Sequence, residues 1–220
     1  MRLDVFSDTI CPWCFVGKRR LERALAARPQ AALSIRWRAF QLNPGMPKGG
    51  MDRRAYIDAK FGGPERAARI YEAVTAVGAS EGIEFAFQRI RRTPNTLDSH
   101  RLVRFAAAAG RQEEAVEALF QAYFVRGEDI GDPDVLVAAG VEAGLDGEAV
   151  RDFLASDRET ETILAEDLVA RRQGINGVPC FVFNGRFALS GAQAPEALLQ
   201  LFDLAREDDA AQPSTTAAKL

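Results

Sequence analysis

The tetrapeptide Cys11-Pro12-Trp13-Cys14 constrains this 220-residue chain more than any other segment. It sets two thiols three positions apart, after the short, mostly apolar run Leu3-Asp4-Val5-Phe6 and before a helical pattern that reaches about Ala27. In the order strand, thiol loop, helix, Cys11 falls on the opening turn of the helix. Unpaired backbone N–H groups and the helix dipole favour a negative charge there. A thiolate is such a charge and is the form of sulfur that attacks disulfides, so the motif predicts a Cys11 more acidic than a free thiol, whose pKa is about 8.5. Cys14, one turn further in, is placed to close a ring with it. Oxidised pair, mixed disulfide and reduced pair are then successive states of one cycle, with Cys11 as nucleophile and Cys14 as resolving thiol. Proline at the second position suits the first turn of a helix. Pro12 and Trp13 are expected to tune the potential and meet substrate, with simple packing as the other reading of Trp13.

A pair spaced C-x-x-C is also half of a structural zinc site, which needs two more Cys or His ligands. Cys180 and His100 are the remaining residues of those types, far apart and in no ligand-like spacing. No metal site is expected. Three cysteines are too few for a disulfide-stapled scaffold, and in a reducing compartment such a pair is more often catalytic.

Net charge is -3, from 28 basic and 31 acidic residues, with the arginines scattered among carboxylates. That balance argues against a nucleic-acid partner. No run approaches the ~18 apolar residues that span a bilayer, and no apolar leader follows Met1-Arg2, so no membrane association and a cytoplasmic location are expected. The length fits one core with a sizeable insertion.

Residues 2–6 read as a strand, and the helix after Cys11 ends at Arg28-Pro29. Leu33, Ile35 and Trp37 alternate with polar neighbours and predict a second strand, parallel to the first across a helical crossover. From about Asp52 to Gln173 the pattern is mostly helical. Leu102, Phe105, Ala106 and Ala109 share one face, as do Val116, Leu119, Phe120 and Tyr123. Asp132-Pro133 reads as a helix start, and Ser156 with Glu159 as a capping box. The stretch Ile83 to Asn95 alternates loosely and is expected to be extended. Cys180 to Phe183 reads as a strand, Asn184-Gly185 as a two-residue hairpin turn, and Arg186 to Leu189 as the return strand. A last helix follows, with Leu198, Leu201, Phe202 and Ala205 on one face. From about Glu207 the sequence is polar and aperiodic, and a disordered tail is expected. The expected divisions are therefore 1–43 and 174–206 for the two parts of one α/β domain, 44–173 for a helical insertion, and 207–220 for the tail.

This order resembles the thioredoxin fold of the DsbA family. Within it the chain is most similar to FrnE-type oxidoreductases, relatives of 2-hydroxychromene-2-carboxylate isomerase and kappa-class glutathione transferases. Ser7-Asp8 through Cys14, Gly17-Lys18, Phe40-Gln41-Leu42-Asn43-Pro44, Asn95-Thr96, His100-Arg101, Gly177-Val178-Pro179 and Ser190-Gly191-Ala192-Gln193 carry the resemblance. It implies a thioredoxin-like α/β fold with a large all-helical insertion. It also implies a cis Val178-Pro179 bond facing the cysteines, with the Val178 backbone free to pair with an extended peptide or glutathione. The residues alone leave a plain turn open at that point.

Four further residues have two readings each. Lys18 either favours the thiolate or, as the more usual case, is a solvated surface residue. Asp8 relays a proton to or from Cys14, or orders the loop by accepting from backbone N–H groups, the commoner role of aspartate. His100 is either a general base, since imidazole titrates near neutrality, or a hydrogen-bonded packing residue near the active site. Cys180, where the family more often carries phenylalanine or threonine, is a buried bystander or a third redox sulfur.

Two functions compete. One is a thiol–disulfide oxidoreductase acting on protein, peptide or small-molecule thiols, with no permanently bound cofactor and glutathione as a potential co-substrate. The other is a glutathione-dependent isomerase or transferase, in which a resolving Cys14 has no task. Retention of both thiols favours the first.

Overall fold

In β1 (Arg2–Ser7), Leu3 and Val5 are buried between less buried Arg2 and Asp4, the alternation of a strand with one face on a core. Strand β2 (Ser34–Ala39) lies parallel to β1, with Val5 opposite Trp37. Helix α1 (Pro12–Ala27) makes the crossover between them, starting with Pro12 at its first position and closing where the Arg28 N–H bonds the Ala24 carbonyl. The computed structural model of the chain describes residues 1–30 and 33–211.

Strands β5 (Cys180–Phe183) and β6 (Phe187–Ser190) complete a four-stranded sheet in the order β2-β1-β5-β6, with β5 antiparallel to both neighbours. Their hairpin turns on Asn184 and Gly185, both at positive φ (52° and 70°), as a two-residue turn of type I′ requires. Asn184 also accepts the Arg2 N–H at 2.9 Å, which ties the turn to the start of β1.

Helix α9 (Pro195–Ala211) packs against α1, burying Leu198, Phe202 and Ala205 with Leu3, Phe181 and Phe183. Each such fully buried apolar side chain contributes about 1.5–3 kcal/mol. This helix runs through residues 207–211, correcting the expected start of disorder at Glu207. Its Asp208 and Asp209 carboxylates meet Arg186 and the Met1 amino group, so charges that look solvated in sequence extend the helix by pairing with the sheet. The rest of the expected tail, 212–220, lies outside the described residues.

Between β2 and β5 the chain is mostly helical: α2 (Arg53–Phe61), α3 (Pro64–Ser80), α4 (Leu97–Ala108), α5 (Gln112–Phe120) running into a π-helical turn at Gln121–Arg126, α6 (Pro133–Glu142), α7 (Gly147–Ala155) and α8 (Thr160–Arg172). A short ladder joins β3 (Met51–Asp52) to β4 (Arg92–Thr93). The stretch 83–95 is extended only there and holds a 3₁₀ turn at Phe87–Arg89, because Phe85 and Phe87 stack on each other and pack edge-on against Phe124. Asp132 caps α6 as expected, accepting the Asp134 N–H. The Ser156–Glu159 capping box does not form. Ser156 donates to the Phe153 carbonyl at the end of α7, and Glu159 takes a left-handed conformation (φ 65°) with its carboxylate on Arg104. As an acceptor the Ser156 hydroxyl takes the Arg158 N–H at 3.3 Å, and α8 starts only after Glu159, so the N–H the box would cap is not the one the serine meets.

Helices of the insertion are fastened to the sheet along the outer edge of β2. The Gln112 side chain bonds both the N–H and the carbonyl of Trp37, Glu166 accepts from Ala39 N, and Asp167 accepts from Gln41 N. These side chains satisfy an edge that would otherwise be open to another strand. From the other side Phe15 of α1, fully buried, stacks on Phe120 at 5.0 Å, worth about 0.5–1.5 kcal/mol beyond its burial.

Candidate active site

Cys11 is the residue at which the chain turns into α1. Its backbone is extended (φ -92°, ψ 112°), and its carbonyl accepts from the N–H groups of Cys14 and Phe15, the first bonds of the helix. Its own N–H bonds the Asp8 carbonyl, closing the loop before the helix at 3.0 Å. Both thiols are free. Cys11 is 5 % exposed and Cys14 1 %, so the first sulfur is the more accessible, though neither stands in open solvent. Trp13, between them in sequence, is exposed beside the pair. At 36 % exposure its ring is partly open to solvent and partly covered.

Cys14 is held protonated. Burial is the main reason its thiol lies well above the ordinary range, and the adjacent Cys11 sulfur adds to the effect. The Ser7 hydroxyl and the Asp8 backbone N–H, both donors to the Cys14 sulfur, act in the opposite direction and do not overcome it.

The Val178–Pro179 peptide is cis. Its Val178 carbonyl oxygen lies 3.6 Å from the Cys11 sulfur, and the Pro179 carbonyl accepts from Gly191 N at 2.8 Å, which anchors the loop to the end of β6. Gly17 allows α1 to come this close: a β-carbon there would stand 2.9 Å from Cγ of Pro179.

Asp8 is fully buried. One carboxylate oxygen accepts the Leu42 N–H at 2.6 Å and the other the Ile10 N–H at 3.5 Å, so the geometry is that of a residue ordering two loops. His100, from α4, brings Nε2 to 3.5 Å from the same Asp8 oxygen that faces Ile10. The structure thus gathers Asp8, Cys11, Cys14, Val178, Pro179 and His100 around one end of α1.

Lys18 departs from its expected surface placement. It is 3 % exposed, and its ammonium group contacts Glu22, Glu113 at 2.8 Å and Glu117 at 2.9 Å. Burial by itself would lower its pKa; the three carboxylates reverse that and leave it above its usual value. Its partners Glu113 and Glu117 on α5 are far along the chain, which explains why a lysine followed by two arginines looks solvated in sequence. Cys180 is buried with Phe6, Phe40, Ala170 and Ile175, and its nearest polar partner is the Ser190 hydroxyl at 3.9 Å. Burial raises its pKa.

Two members of the site carried no signal of their own. Ser7 sits within the quoted motif but has no distinctive chemistry until it is seen donating to Cys14. Tyr56 of α2 reaches the same end of α1. Burial pushes its phenol up, with Asp8 and Cys11 close enough to add to the effect. Beside it Asn43, Met46, Pro47, Met51 and Lys60 line a surface hollow of about 280 Å³.

Strand, C-x-x-C helix, cis-proline loop and helical insertion together define a thioredoxin-like protein of the DsbA type. The family model for the DSBA-like thioredoxin domain matches residues 2–203, and the chain belongs to this DsbA-like thiol–disulfide oxidoreductase family. Among solved structures it is similar to the probable DsbA oxidoreductase SCO1869 of Streptomyces coelicolor, at 34 % identity and a TM-score of 0.86 over 100 % of this chain and 93 % of that one. The fold is shared with the cytosolic disulfide reductase DsbM of Pseudomonas aeruginosa with GSH, at 20 % identity and a TM-score of 0.64 over 96 % and 98 % of the two chains. It is shared also with 2-hydroxychromene-2-carboxylate isomerase, at 19 % identity and 0.68 over 97 % and 100 %.

Proposed function

We propose that the protein exchanges disulfides with protein, peptide or small-molecule thiols, glutathione among them, through the Cys11/Cys14 couple. The observation that carries this reading is the asymmetry of the pair. Cys14 is buried and held protonated, whereas Cys11 begins the helix, is the more accessible sulfur and faces the Val178 carbonyl. The thiolate of Cys11 attacks a substrate disulfide, one substrate sulfur leaves, and a mixed disulfide remains. Cys14 then attacks Cys11, releasing the second substrate sulfur and closing the ring. An extended substrate segment lies along Val178, whose backbone supplies the pairing groups, with Trp13 and the hollow beside Tyr56 on its flanks.

Similarity to DsbM, named as a cytosolic disulfide reductase and determined with GSH, supports glutathione as a co-substrate and a cytoplasmic location. An isomerase or transferase acting through bound glutathione would leave the resolving Cys14 and its Ser7 hydrogen bond without work. The test is reduction of insulin disulfides in the presence of dithiothreitol, together with oxidation of a reduced peptide by the bridged form. Activity in at least one direction is expected, and its absence in both would refute the reading. Glutathione at millimolar concentration is expected to raise Tm, as any ligand that binds only the folded state does. Fractionation of cells making the full chain tests the compartment.

A further inference from the structure

Helix α8 buries one face and leaves an apolar one bare. Ile163, Asp167 and Ala170 are buried, and the helix packs on α4 and β2. On the opposite side Glu161, Ala165, Leu168 and Arg172 follow at spacings of four, three and four residues, which is one line along a helix. Leu164 and Val169 flank that line. Leu164 and Leu168 are each 48 % exposed and Val169 is 47 % exposed. A surface helix ordinarily turns polar residues to solvent and keeps its apolar stripe for the core. The other exposed large apolar side chains among the described residues, Trp13, Ile70, Val141 and Leu204, stand one to a helix. Contiguous exposed apolar surface marks an interaction site, whereas scattered residues need no explanation.

The polar ends of the line identify what covers it. Glu161 lies in the first turn and Arg172 in the last. Neither has an ion pair or hydrogen bond among the described residues, although Glu166, Asp167 and Arg171 of the same helix all do. We propose that the occupant is a second copy of this chain, with the two α8 helices packed antiparallel across a two-fold axis. An axis level with the bond between Glu166 and Asp167 sets Glu161 against the partner's Arg172, Leu164 against the partner's Val169, and Ala165 against the partner's Leu168. A two-fold makes each pairing twice, so the bare face is complementary to itself. Parallel helices would instead set glutamate on glutamate and arginine on arginine. The inference stands apart from the redox reading above.

The spacing of four, three and four is that of a heptad seam, which packs helices at about 20° with their axes ~8–10 Å apart. Ala165 is small enough to let the partner's Leu168 seat against the backbone. Over Val169, the partner's Leu164 reaches the lip of a groove of about 530 Å³ that Val169 lines with Phe6, Ile175 and Val182. Two helices of this length cover less than the ~1,200 Å² of a standard interface, so the dimer is of the weak, reversible class. The Glu161–Arg172 pairs lie at its rim, where charges set direction and register more than strength.

This geometry leaves both active sites open. Each Val178–Pro179 loop follows the C-terminus of its own α8, and antiparallel packing carries the two C-termini to opposite ends of the pair. Every residue of the site comes from one chain, so turnover per chain is independent of association.

Sedimentation velocity of the full chain, with dithiothreitol present to prevent disulfide-linked dimers, tests the proposal across a series from ~1 µM to ~200 µM, which brackets a micromolar Kd. The parent is expected to pass from monomer to dimer within the series. Leu168→Glu puts a carboxylate into the seam and is expected to stay monomeric throughout, with turnover per chain unchanged. Glu161→Arg or Arg172→Glu alone sets like charges face to face and is expected to raise Kd about tenfold. The combined Glu161→Arg/Arg172→Glu variant restores opposite charges and is expected to recover the parent's Kd. Both positions are exposed in the single chain, so this exchange decides the matter should Leu168→Glu fail to fold. A parent that is monomeric across the series would overturn the proposal, as would a dimer that persists in Leu168→Glu. A combined variant as weak as the single ones would overturn the antiparallel pairing.

Discussion

Gly17 of α1 and Pro179 of the cis-proline loop lie too close for a side chain to stand between them. A β-carbon on Gly17 would lie 2.9 Å from Cγ of the proline and 3.3 Å from the Phe181 ring. The helix that carries both thiols is therefore held against the Val178–Pro179 loop by the absence of a side chain. Gly17→Val is expected to push the two apart, costing about 2 kcal/mol of stability by overpacking and lowering insulin reduction. Denaturant midpoints and turnover measured side by side check it; a variant as stable and active as the parent would contradict the contact.

The three sulfurs are expected to behave differently. Cys14→Ser should accumulate mixed disulfides through Cys11, because the attack that releases substrate is gone. Cys180→Ala should leave disulfide exchange unchanged and cost about 1 kcal/mol for the lost buried sulfur. Peptide mapping by mass spectrometry locates the adducts, and adducts on Cys180 would reassign the nucleophile.

Lys18 and its carboxylates predict an acid-sensitive join between α1 and α5. Burial alone would push Glu117 up, but hydrogen bonds from Arg19 and Gln121 and the Lys18 charge bring it down to about 2, against 4.5 for an ordinary glutamate. A lowered folded-state pKa stabilises above the unfolded value, and that share is lost as pH falls from about 4.5 through about 2. Urea midpoints are expected to drop across this window. In Lys18→Met the drop is smaller and stability at pH ~7 is lower by about 2–3 kcal/mol, the lower end for a broken buried pair because the carboxylates are partly solvated. A variant with the parent's acid profile would remove Lys18 from this role.

Asp8 separates charge from hydrogen bonding. Asp8→Ala leaves the partly buried Leu42 N–H and the buried Ile10 N–H without their acceptor and is expected to cost about 2–3 kcal/mol. Asp8→Asn keeps an acceptor for Leu42 and is expected to recover most of that stability. Thermal unfolding of both variants checks it, and equal losses would show that the charge, not the bond to the loop, holds this corner.

Much of this was legible in the residues because the signals are local. A turn at Asn184-Gly185 follows from the φ values those two residues tolerate, and the start of α1 from Pro12 after an extended Cys11. Ser156 and Glu159 have the spacing of a cap, yet Ser156 bonds backward to Phe153. A four-residue pattern carries no information on which helix the hydroxyl serves. Glu207 begins a polar stretch that reads as solvated, and it is helical because Arg186 and the amino terminus lie opposite its neighbours.

Composition and order by themselves determined that two thiols open a helix behind a strand and that a helical segment interrupts an α/β unit, since backbone preference and periodicity act within a few positions. Tertiary structure decided which sulfur stays protonated, that Lys18 is buried among carboxylates from α5 and its own helix, and that His100 comes to rest beside Asp8. Those outcomes depend on burial and on charges brought together from distant parts of the chain, and neither quantity exists until the chain has folded.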